Sequence, residues 1–426
     1  MGFLEDIRRK VLLFDGAMGT EIHKLDLADD EWGEYPGCNE FLSVSSPGRI
    51  AEIYRSYLDA GSDLIETNTF GAQKITLEEH GLSHRTEELN KESARLARKI
   101  VDEYCSAHRE EEHCRYVVGA MGPGTKLPSL GHIDFDTLHD SYYAQAKGLI
   151  EGGTDAFIVE TAQDPLQIKA AVLAIRDAQK DAGLRLPVVV SVTIETNGTM
   201  LVGTDIAAAV TILEPLDIDV LGINCATGPA EMRPHIKELA SLFKGPVFAM
   251  PNAGFPEHKE GRLVYDVDPE NFADHLISFV EEYGVDVVGG CCGTDPRYIA
   301  ELRRKLDSAH KAERRAETPA ALASLYSRQE LTQDPGPFFV GERTNTNGSK
   351  KFREYLLQEN RQALEEMGKA QERQGAHGID VSVAYAGRDE KSDMSDLIGR
   401  LRKSLDRPLV IDSTDPQVIE EALKLI

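Results

Sequence analysis

Short apolar runs rich in β-branched residues recur along residues 1–306, and each ends in glycine, asparagine, threonine or cysteine. Segments with apolar positions at helical spacing lie between them, for example "PGRIAEIYRSYLDAG" and "DPLQIKAAVLAIRDAQKDAG". Runs without polar alternation are typical of parallel strands buried on both faces. Eight such strand–helix units predict an α/β fold, a (β/α)8 TIM barrel, with an open doubly wound sheet as the alternative. The eight runs begin near Val11, Asp63, Tyr116, Ala156, Pro187, Val220, Pro246 and Val287.

A second series of strand-like and helix-like segments follows a polar, alanine-rich stretch at residues 307–337, which we interpret as a linker. Residues 338–426 predict three further strand–helix units, beginning with the strand "FFVGERTN". The first helix of this part is expected to run through "KKFREYLLQENRQALEEMGKAQERQG" without a break. Three units leave sheet edges uncovered, so this part is expected to be the beginning of a truncated second (β/α) barrel.

Composition and charge limit the kinds of partner that this chain is expected to bind. The 426 residues are 41% hydrophobic and 28% charged, as in an ordinary soluble globular protein. A net charge of −25 argues against a nucleic-acid partner, which needs a clustered basic surface. No apolar stretch approaches the roughly 18 residues that span a membrane, and no signal peptide is recognisable. Six cysteines in such a chain indicate free thiols, and therefore the cytoplasm.

Three of the cysteines fall at the ends of predicted strands, Cys225 in "GINCATG" and the adjacent Cys291 and Cys292 in "VVGGCCGTD". Barrel strands end at one common mouth, and the flanking glycines are expected to let the chain bend so that three thiolates meet. Three thiolates with one open position are typical of a catalytic zinc site. Inert buried cysteines and a vicinal disulfide are the alternatives. We interpret the remaining cysteines as incidental: Cys38, Cys105 and Cys114.

The chemistry expected of such a site is alkyl transfer to a thiol. Three thiolates already donate much negative charge to zinc, which makes the ion poor at activating water. It still lowers the pKa of a bound thiol.

Other strand ends offer groups for a zwitterionic substrate. They are Asp15 with the backbone amides of Gly16 and Ala17 for a carboxylate, Glu160 for an ammonium group, and the neutral side chains of Thr67, Asn68, Thr69 and Asn252.

The motifs "DGAMGTEI", "ETNTFGA", "VETAQD", "GINCATGP" and "GGCCGTDP", in this order, resemble those of the homocysteine S-methyltransferases. The resemblance extends over residues 1–305 and implies a zinc-dependent (β/α)8 barrel in which the homocysteine sulfur completes the zinc coordination. It implies that the zinc ligands are Cys225, Cys291 and Cys292. The homocysteine contacts that it implies are Asp15, Gly16, Ala17, Glu160 and Asn252.

The segment "GERTNTNGSKKFREYL" resembles the opening of the pterin-binding barrel of cobalamin-dependent methionine synthases, which follows their homocysteine barrel. The implied folate-pocket residues are Glu342, Thr344, Asn345 and Asp412. The segment "IDVSVAYAGRDE" departs from that family at Ser382 and in its "GRDE" loop, which is similar to that of corrinoid-linked methyltransferases. A "DxHxxG" cobalamin-binding motif is absent from the sequence.

Three functions follow as hypotheses. The first is methyl transfer to homocysteine, which gives methionine. The methyl donor is methylcobalamin on a module absent from this chain, and it is regenerated from methyltetrahydrofolate on other modules. The second is the same transfer from another donor, namely S-methylmethionine, S-adenosylmethionine, betaine or a separate corrinoid protein. The third is a non-catalytic scaffold that keeps only the fold. The pterin-like tail argues against a free small donor, and the intact cysteines with Glu160 argue against a scaffold.

Overall fold

The computed structural model describes residues 2–108, 115–259 and 262–426, with residues 257–259 and 262–263 described by their backbone alone. The strands up to residue 306 are β1 Leu12–Leu13, β2 Leu64–Glu66, β3 Tyr116–Met121, β4 Ala156–Ala162, β5 Val188–Val192, β6 Val220–Asn224, β7 Val247–Met250, β8 Pro256–Lys259, β9 Arg262–Tyr265 and β10 Val287–Val288. The helices are α1 Phe3–Arg9, α2 Met18–Lys24, α3 Leu42–Ser45, α4 Pro47–Asp59, α5 Lys74–Leu77, α6 Thr86–Ala107, α7 Phe135–Gly152, α8 Pro165–Asp181, α9 Ile206–Leu213, α10 Pro229–Leu242, α11 Pro269–Tyr283 and α12 Pro296–Leu306.

The eight predicted strands are present as β1 to β7 and β10, and they form one parallel sheet in the order β1-β10-β7-β6-β5-β4-β3-β2. A parallel bridge between Phe14 and Leu64 joins β1 to β2 and closes the sheet. The predicted TIM barrel is thereby confirmed, and the open doubly wound sheet is excluded. The antiparallel hairpin of β8 and β9, which the sequence analysis missed, lies between β7 and α11.

Side chains alternate between two apolar layers along each barrel strand, as the pleat requires. In β2, Leu64 belongs to the cluster inside the barrel and Ile65 to the cluster between strands and helices. Helix α1 supplies Phe3 and Ile7 to the inner cluster, and the Tyr116 hydroxyl donates a hydrogen bond to Asp6. Helix α1 therefore covers the amino-terminal end of the barrel, while the strand ends at the opposite mouth become polar.

Four aspartates repeat at the amino-terminal end of the barrel, a pattern that the sequence analysis missed. Each directly precedes β2, β4, β6 or β10 and accepts a hydrogen bond from a backbone N–H of the strand beside it. Each also pairs with at least one arginine or lysine. The carboxylates thus satisfy amides at the beginnings of alternate strands, which otherwise would be buried without a partner. The aspartate–amide pairs are Asp63–Leu13, Asp155–Val117, Asp219–Val188 and Asp286–Val247.

The chain after residue 306 contains a hairpin and a three-stranded parallel sheet. The strands are β11 Ala321–Ala323, β12 Arg328–Glu330, β13 Val340–Asn345, β14 Gly378–Ser382 and β15 Leu409–Ile411. The helices are α13 Lys350–Leu357, α14 Arg361–Arg373, α15 Glu390–Ser404 and α16 Pro416–Leu423. The predicted three strand–helix units are therefore present, with β14 in the centre of the sheet.

The prediction of one continuous helix after β13 is wrong. The chain leaves the helical conformation at Glu359, which has a φ of 52°. The Asn360 side chain then accepts a hydrogen bond from the Ala363 backbone N–H and begins α14. Helices commonly begin at an asparagine whose side-chain oxygen accepts a hydrogen bond from a free backbone amide. This helix start interrupts the segment although its apolar periodicity is continuous.

The segment predicted as a linker packs against the barrel. The Thr204 hydroxyl donates a hydrogen bond to the Leu325 carbonyl oxygen at 2.6 Å, and the Arg314 guanidinium donates to the Phe243 and Gly245 carbonyl oxygens. The boundaries between residues 306 and 307 and between 337 and 338 stay predictions. None of the helices in the described ranges is long and apolar enough to cross a membrane.

Candidate metal centre and substrate pocket

The sulfur atoms of Cys225, Cys291 and Cys292 lie together at the mouth of the barrel. All three Sγ atoms are within 4.8 Å of one another, and those of Cys225 and Cys292 are 3.9 Å apart. A tetrahedral zinc site with Zn–S bonds of about 2.3 Å places its sulfurs about 3.8 Å apart. The donor set therefore fits such an ion in its chemistry and its spacing.

The other cysteines lie away from this cluster or outside the described structure. Cys38 is buried, Cys105 is partly buried on α6, and Cys114 lies outside the described residues. No disulfide is present among the five cysteines that the structure describes. The predicted alternative of a vicinal disulfide between Cys291 and Cys292 therefore finds no support in this structure.

A left-handed turn directs Cys225 toward the other two sulfurs. Strand β6 ends at Asn224, and both Cys225 and Ala226 then have positive φ angles, of 64° and 58°. The Cys225 N–H still donates to the Met250 carbonyl oxygen at 3.1 Å, which holds the turn against β7. Positive φ in two consecutive residues other than glycine is uncommon, and such conformations concentrate at functional sites.

The glycines before the cysteine pair have a different role from the predicted bending. A Cβ atom on Gly289 would lie 2.5 Å from the Phe14 Cβ, and one on Gly290 would lie 2.3 Å from the Thr294 Oγ1. Positive φ occurs only after the pair, at Gly293 with 83°. Gly289 and Gly290 therefore allow close packing of the metal loop, and Gly293 alone needs the conformational freedom of glycine.

Asn224 connects the sulfur cluster to β4 and β5, and the sequence analysis did not identify it. Its Nδ2 atom donates to the Cys291 Sγ at 3.6 Å and to the Thr161 Oγ1 at 2.9 Å. Its Oδ1 atom accepts from the Thr161 N–H and from the Ser191 hydroxyl. An N–H donor to a ligating sulfur stabilises negative charge on that sulfur and fixes its position. The signal in the sequence was its place directly before Cys225 in "GINC".

The three thiols influence one another's ionisation. Hydrogen bonds from Cys225 and Cys291 lower the pKa of Cys292 to about 3. Hydrogen bonds with Cys225 and Cys292, together with burial, raise the pKa of Cys291 well above its usual value. One thiolate therefore forms readily, whereas a second and a third require a cation among them. This electrostatic demand agrees with a metal-binding role.

Three carboxyl groups lie at the same mouth of the barrel: those of Asp15 and Glu160 are buried, and that of Glu66 is partly buried, with its Oε1 atom inaccessible. Burial raises the pKa of Asp15 and Glu160 well above the usual range, with the Glu66 charge as the next cause for both. Burial also raises the pKa of Glu66 to about 7. No arginine, lysine or histidine of the described ranges pairs with any of the three carboxylates. An uncompensated cluster of this kind requires a cation or protons from outside.

The predicted backbone cradle after β1 is partly engaged in the fold. The Ala17 N–H donates to the Thr294 carbonyl oxygen at 3.3 Å. A Cβ atom on Gly16 would lie 2.8 Å from the Tyr57 ring, so glycine is required there for space. Asn252 is 5% exposed, and its Oδ1 atom is buried without a hydrogen-bond partner in the described structure. Asn252 therefore retains an acceptor for a ligand.

Thr67, Asn68 and Thr69 form hydrogen bonds within the fold. The Asn68 Nδ2 atom donates to the Asn39 carbonyl oxygen at 2.7 Å. The Thr69 hydroxyl donates to the Ala120 carbonyl oxygen, and the Ala120 N–H donates to the Thr67 Oγ1. These three side chains therefore hold the loop after β2 in place. Glu66, directly before them, was missed by the sequence analysis. It is the residue of the "ETNTFG" segment that contributes a carboxylate to the mouth.

Three of the predicted folate-pocket residues lie at the carboxyl ends of strands, Thr344 and Asn345 in β13 and Asp412 directly after β15. The fourth, Glu342, lies in the middle of β13. The Asn345 Nδ2 atom donates to Asp380 at 2.9 Å and to Asp412 at 3.1 Å. The Thr344 hydroxyl donates to the Asp380 carbonyl oxygen and accepts from a glutamine amide, so it is engaged in the fold. Glu342 is exposed. The structure thus brings Asn345 and Asp412 together around Asp380, which the sequence analysis did not single out.

Comparisons with known proteins agree with this architecture. The profile of the homocysteine S-methyltransferase family matches residues 12–306, and that of pterin-binding enzymes matches residues 341–425. Methionine synthases of Mycobacterium tuberculosis and Mycobacterium leprae are 42% and 41% identical over 99% of this chain. The chain spans 35% of the length of each of these two relatives.

Among solved structures, the metallated homocysteine methyltransferase MmuM of Escherichia coli superimposes with a TM-score of 0.57 at 24% identity. The alignment covers 70% of this chain and 96% of the MmuM chain, and it supports the barrel fold. The family profile covers more than half of the chain. The chain therefore belongs to the homocysteine S-methyltransferase family.

Proposed function

We propose that this chain transfers a methyl group to the sulfur of homocysteine and so forms methionine. The observation that carries the proposal is the cluster of three cysteine sulfurs within 4.8 Å beside carboxylates that have no cationic partner in the described structure. The cysteine cluster would bind the thiol end of the substrate, and the carboxylates would bind its ammonium end. Family membership and the similarity to methionine synthases support this assignment.

Cys225, Cys291 and Cys292 would hold a zinc ion. A bound zinc ion would supply the positive charge that keeps a substrate thiol deprotonated at neutral pH. The Asn224 amide positions the Cys291 sulfur within this set. Because the cysteines must remain thiols, we place the reaction in a reducing compartment, in line with the predicted cytoplasm.

The carboxylates and the turn after β1 orient the substrate. Asp15 and Glu160 bind the ammonium group, while Asn252 and the backbone of Gly16 and Ala17 surround the amino-acid end. With that end fixed, the thiolate sulfur faces the mouth, where the methyl donor arrives. The sulfur attacks the methyl carbon in line, an S–C bond forms, and the bond from methyl to donor breaks with its electron pair leaving on the donor. The protein then needs no general base for the transfer itself.

We propose that the donor is methylcobalamin on a module outside this chain. The support is the pterin-binding profile over residues 341–425 and the similarity to methionine synthases along the whole chain. Residues 338–426 then form the first part of a methyltetrahydrofolate-binding barrel, in which the expected contacts are Glu342, Thr344, Asn345 and Asp412. Methyltetrahydrofolate would regenerate the donor on other modules.

The test is an assay of methionine formation with the zinc-loaded chain, homocysteine and one donor at a time. The donors are free methylcobalamin, S-methylmethionine, S-adenosylmethionine and betaine. We expect methionine with methylcobalamin and background levels with the other three. Transfer from a different donor alone would contradict the donor assignment, and no methionine from any donor would favour the scaffold hypothesis.

A further inference from the structure

Glu66 continues the inner face of the barrel. In β2, Leu64 lies in the cluster inside the barrel and Ile65 lies in the outer cluster. Successive side chains of a strand point to opposite faces, so Glu66 points inward, two residues nearer the mouth than Leu64. Glu160 has the same position in β4, two residues after the inner residue Ile158.

One oxygen of the Glu66 carboxylate, Oε1, is buried without a partner among the residues that the structure describes. The Glu66 backbone N–H donates to the Asp15 Oδ2 at 3.0 Å, which brings the two residues together. A carboxylate oxygen that is buried without a hydrogen-bond donor is costly for the fold. The fold alone therefore gives no reason for a glutamate in this place.

One carboxylate neutralises the charge of one ammonium group, yet the mouth contains three carboxylates, from three different strand ends. In the order of strands around the barrel, Glu66 on β2 lies between Asp15, which comes after β1, and Glu160 on β4. An ammonium group has three N–H donors in a tetrahedral arrangement. Three carboxylates around it would satisfy all three donors. The number and grouping of the acidic residues thus match the donors of one primary ammonium group.

We propose that Glu66 is a third acceptor for the ammonium group of the substrate, and that it makes the pocket selective for thiols with a primary α-ammonium group. The proposal rests on the function proposed above, since it assumes a substrate with both groups. A thiol without the ammonium group would leave three carboxylates without a cationic partner. The lost charge-assisted hydrogen bond corresponds to about a 10- to 100-fold change in affinity.

The experiment measures dissociation constants by calorimetry on the zinc-loaded full chain and its Glu66→Gln variant. The ligands are homocysteine and 4-mercaptobutanoate, which has the same thiol and carboxylate without the ammonium group. We expect Glu66→Gln to weaken homocysteine binding about 10- to 100-fold. Binding of 4-mercaptobutanoate should be unchanged or stronger, because one buried charge is removed. The control is Glu79→Gln, which removes a charge from an exposed residue of the short 3-10 turn after α5 and should leave both constants unchanged.

Retained preference for homocysteine in a folded, zinc-containing Glu66→Gln variant would overturn the role of Glu66. A wild-type protein that binds homocysteine no better than 4-mercaptobutanoate would instead contradict the proposed function. A wild-type measurement with N-methylhomocysteine, whose ammonium group has two N–H donors, decides the matter if the variant does not fold. We expect about tenfold weaker binding than for homocysteine, and equal affinity would overturn the proposal.

Discussion

Replacing Cys225 or Cys292 by alanine is expected to remove zinc from the protein and to abolish methyl transfer to homocysteine. Each substitution leaves two sulfur ligands, too few for the usual protein zinc site. The zinc content should fall from about one ion per chain to less than about a tenth of that value. Metal analysis of the purified variants, together with the methionine assay, measures both effects.

The matched control for these variants is Cys105→Ala. Cys105 is partly buried on α6 and lies outside the sulfur cluster. This variant should retain its zinc and its activity, which separates loss of the metal site from general sensitivity to a missing thiol. Full activity in a Cys292→Ala protein that contains no zinc would contradict the proposed mechanism.

Replacing Asp63 by asparagine is expected to lower the free energy of unfolding by about 3 kcal/mol. Asp63 is 1% exposed, and its carboxylate pairs with Lys10, Arg115 and Arg303. It also accepts the Leu13 N–H at 3.0 Å, at the beginning of β1. The asparagine keeps the size of the side chain but removes the negative charge that pairs with Lys10 and Arg303. Urea unfolding at neutral pH measures the difference.

The effect of Asp63 should depend on pH with a definite sign. Burial alone would raise its pKa, but the charges of Arg303 and Lys10 hold the pKa below its usual value. A carboxyl group with a lowered pKa in the folded state stabilises the protein fully above the unfolded pKa of about 4. That contribution is lost as the pH falls through the lower folded value. The wild type and Asp63→Asn should therefore converge in stability below about pH 4.

The control for Asp63 is Asp274→Asn, in which an exposed carboxylate loses its ion pair with Lys305. The Asp274 side chain is 63% exposed, so this change should alter the free energy of unfolding by less than about 1 kcal/mol. A loss for Asp63→Asn no larger than that of the control would show that the buried cluster does not stabilise the barrel.

The barrel could be predicted from the sequence because each strand is a short apolar run that ends in glycine, asparagine, threonine or cysteine. The cysteine cluster could be predicted for a related reason. Strand ends of a barrel share one mouth, so Cys225 and the Cys291–Cys292 pair had to lie near each other whatever the details of their loops. Topology thus determines which residues meet when each lies at the end of a regular strand.

Other features depend on side-chain direction and local conformation, which apolar periodicity does not determine. Glu66 points into the mouth because Leu64, two residues before it, faces the inside of the barrel. In a strand of three residues, the sequence does not show which side chains face inward. The role of Asn224 required the left-handed turn at Cys225. The break before α14 required a positive φ at Glu359, a residue type that seldom adopts one.

The most direct test of the central claim counts the sulfur ligands of the metal by X-ray absorption at the zinc edge. The zinc-loaded protein should show three sulfur neighbours at about 2.3 Å and one lighter ligand. Addition of homocysteine should raise the count to four sulfurs, because the substrate thiolate takes the remaining position. A count that stays at three with saturating homocysteine would contradict the account of this site as a metal centre that binds the substrate thiol.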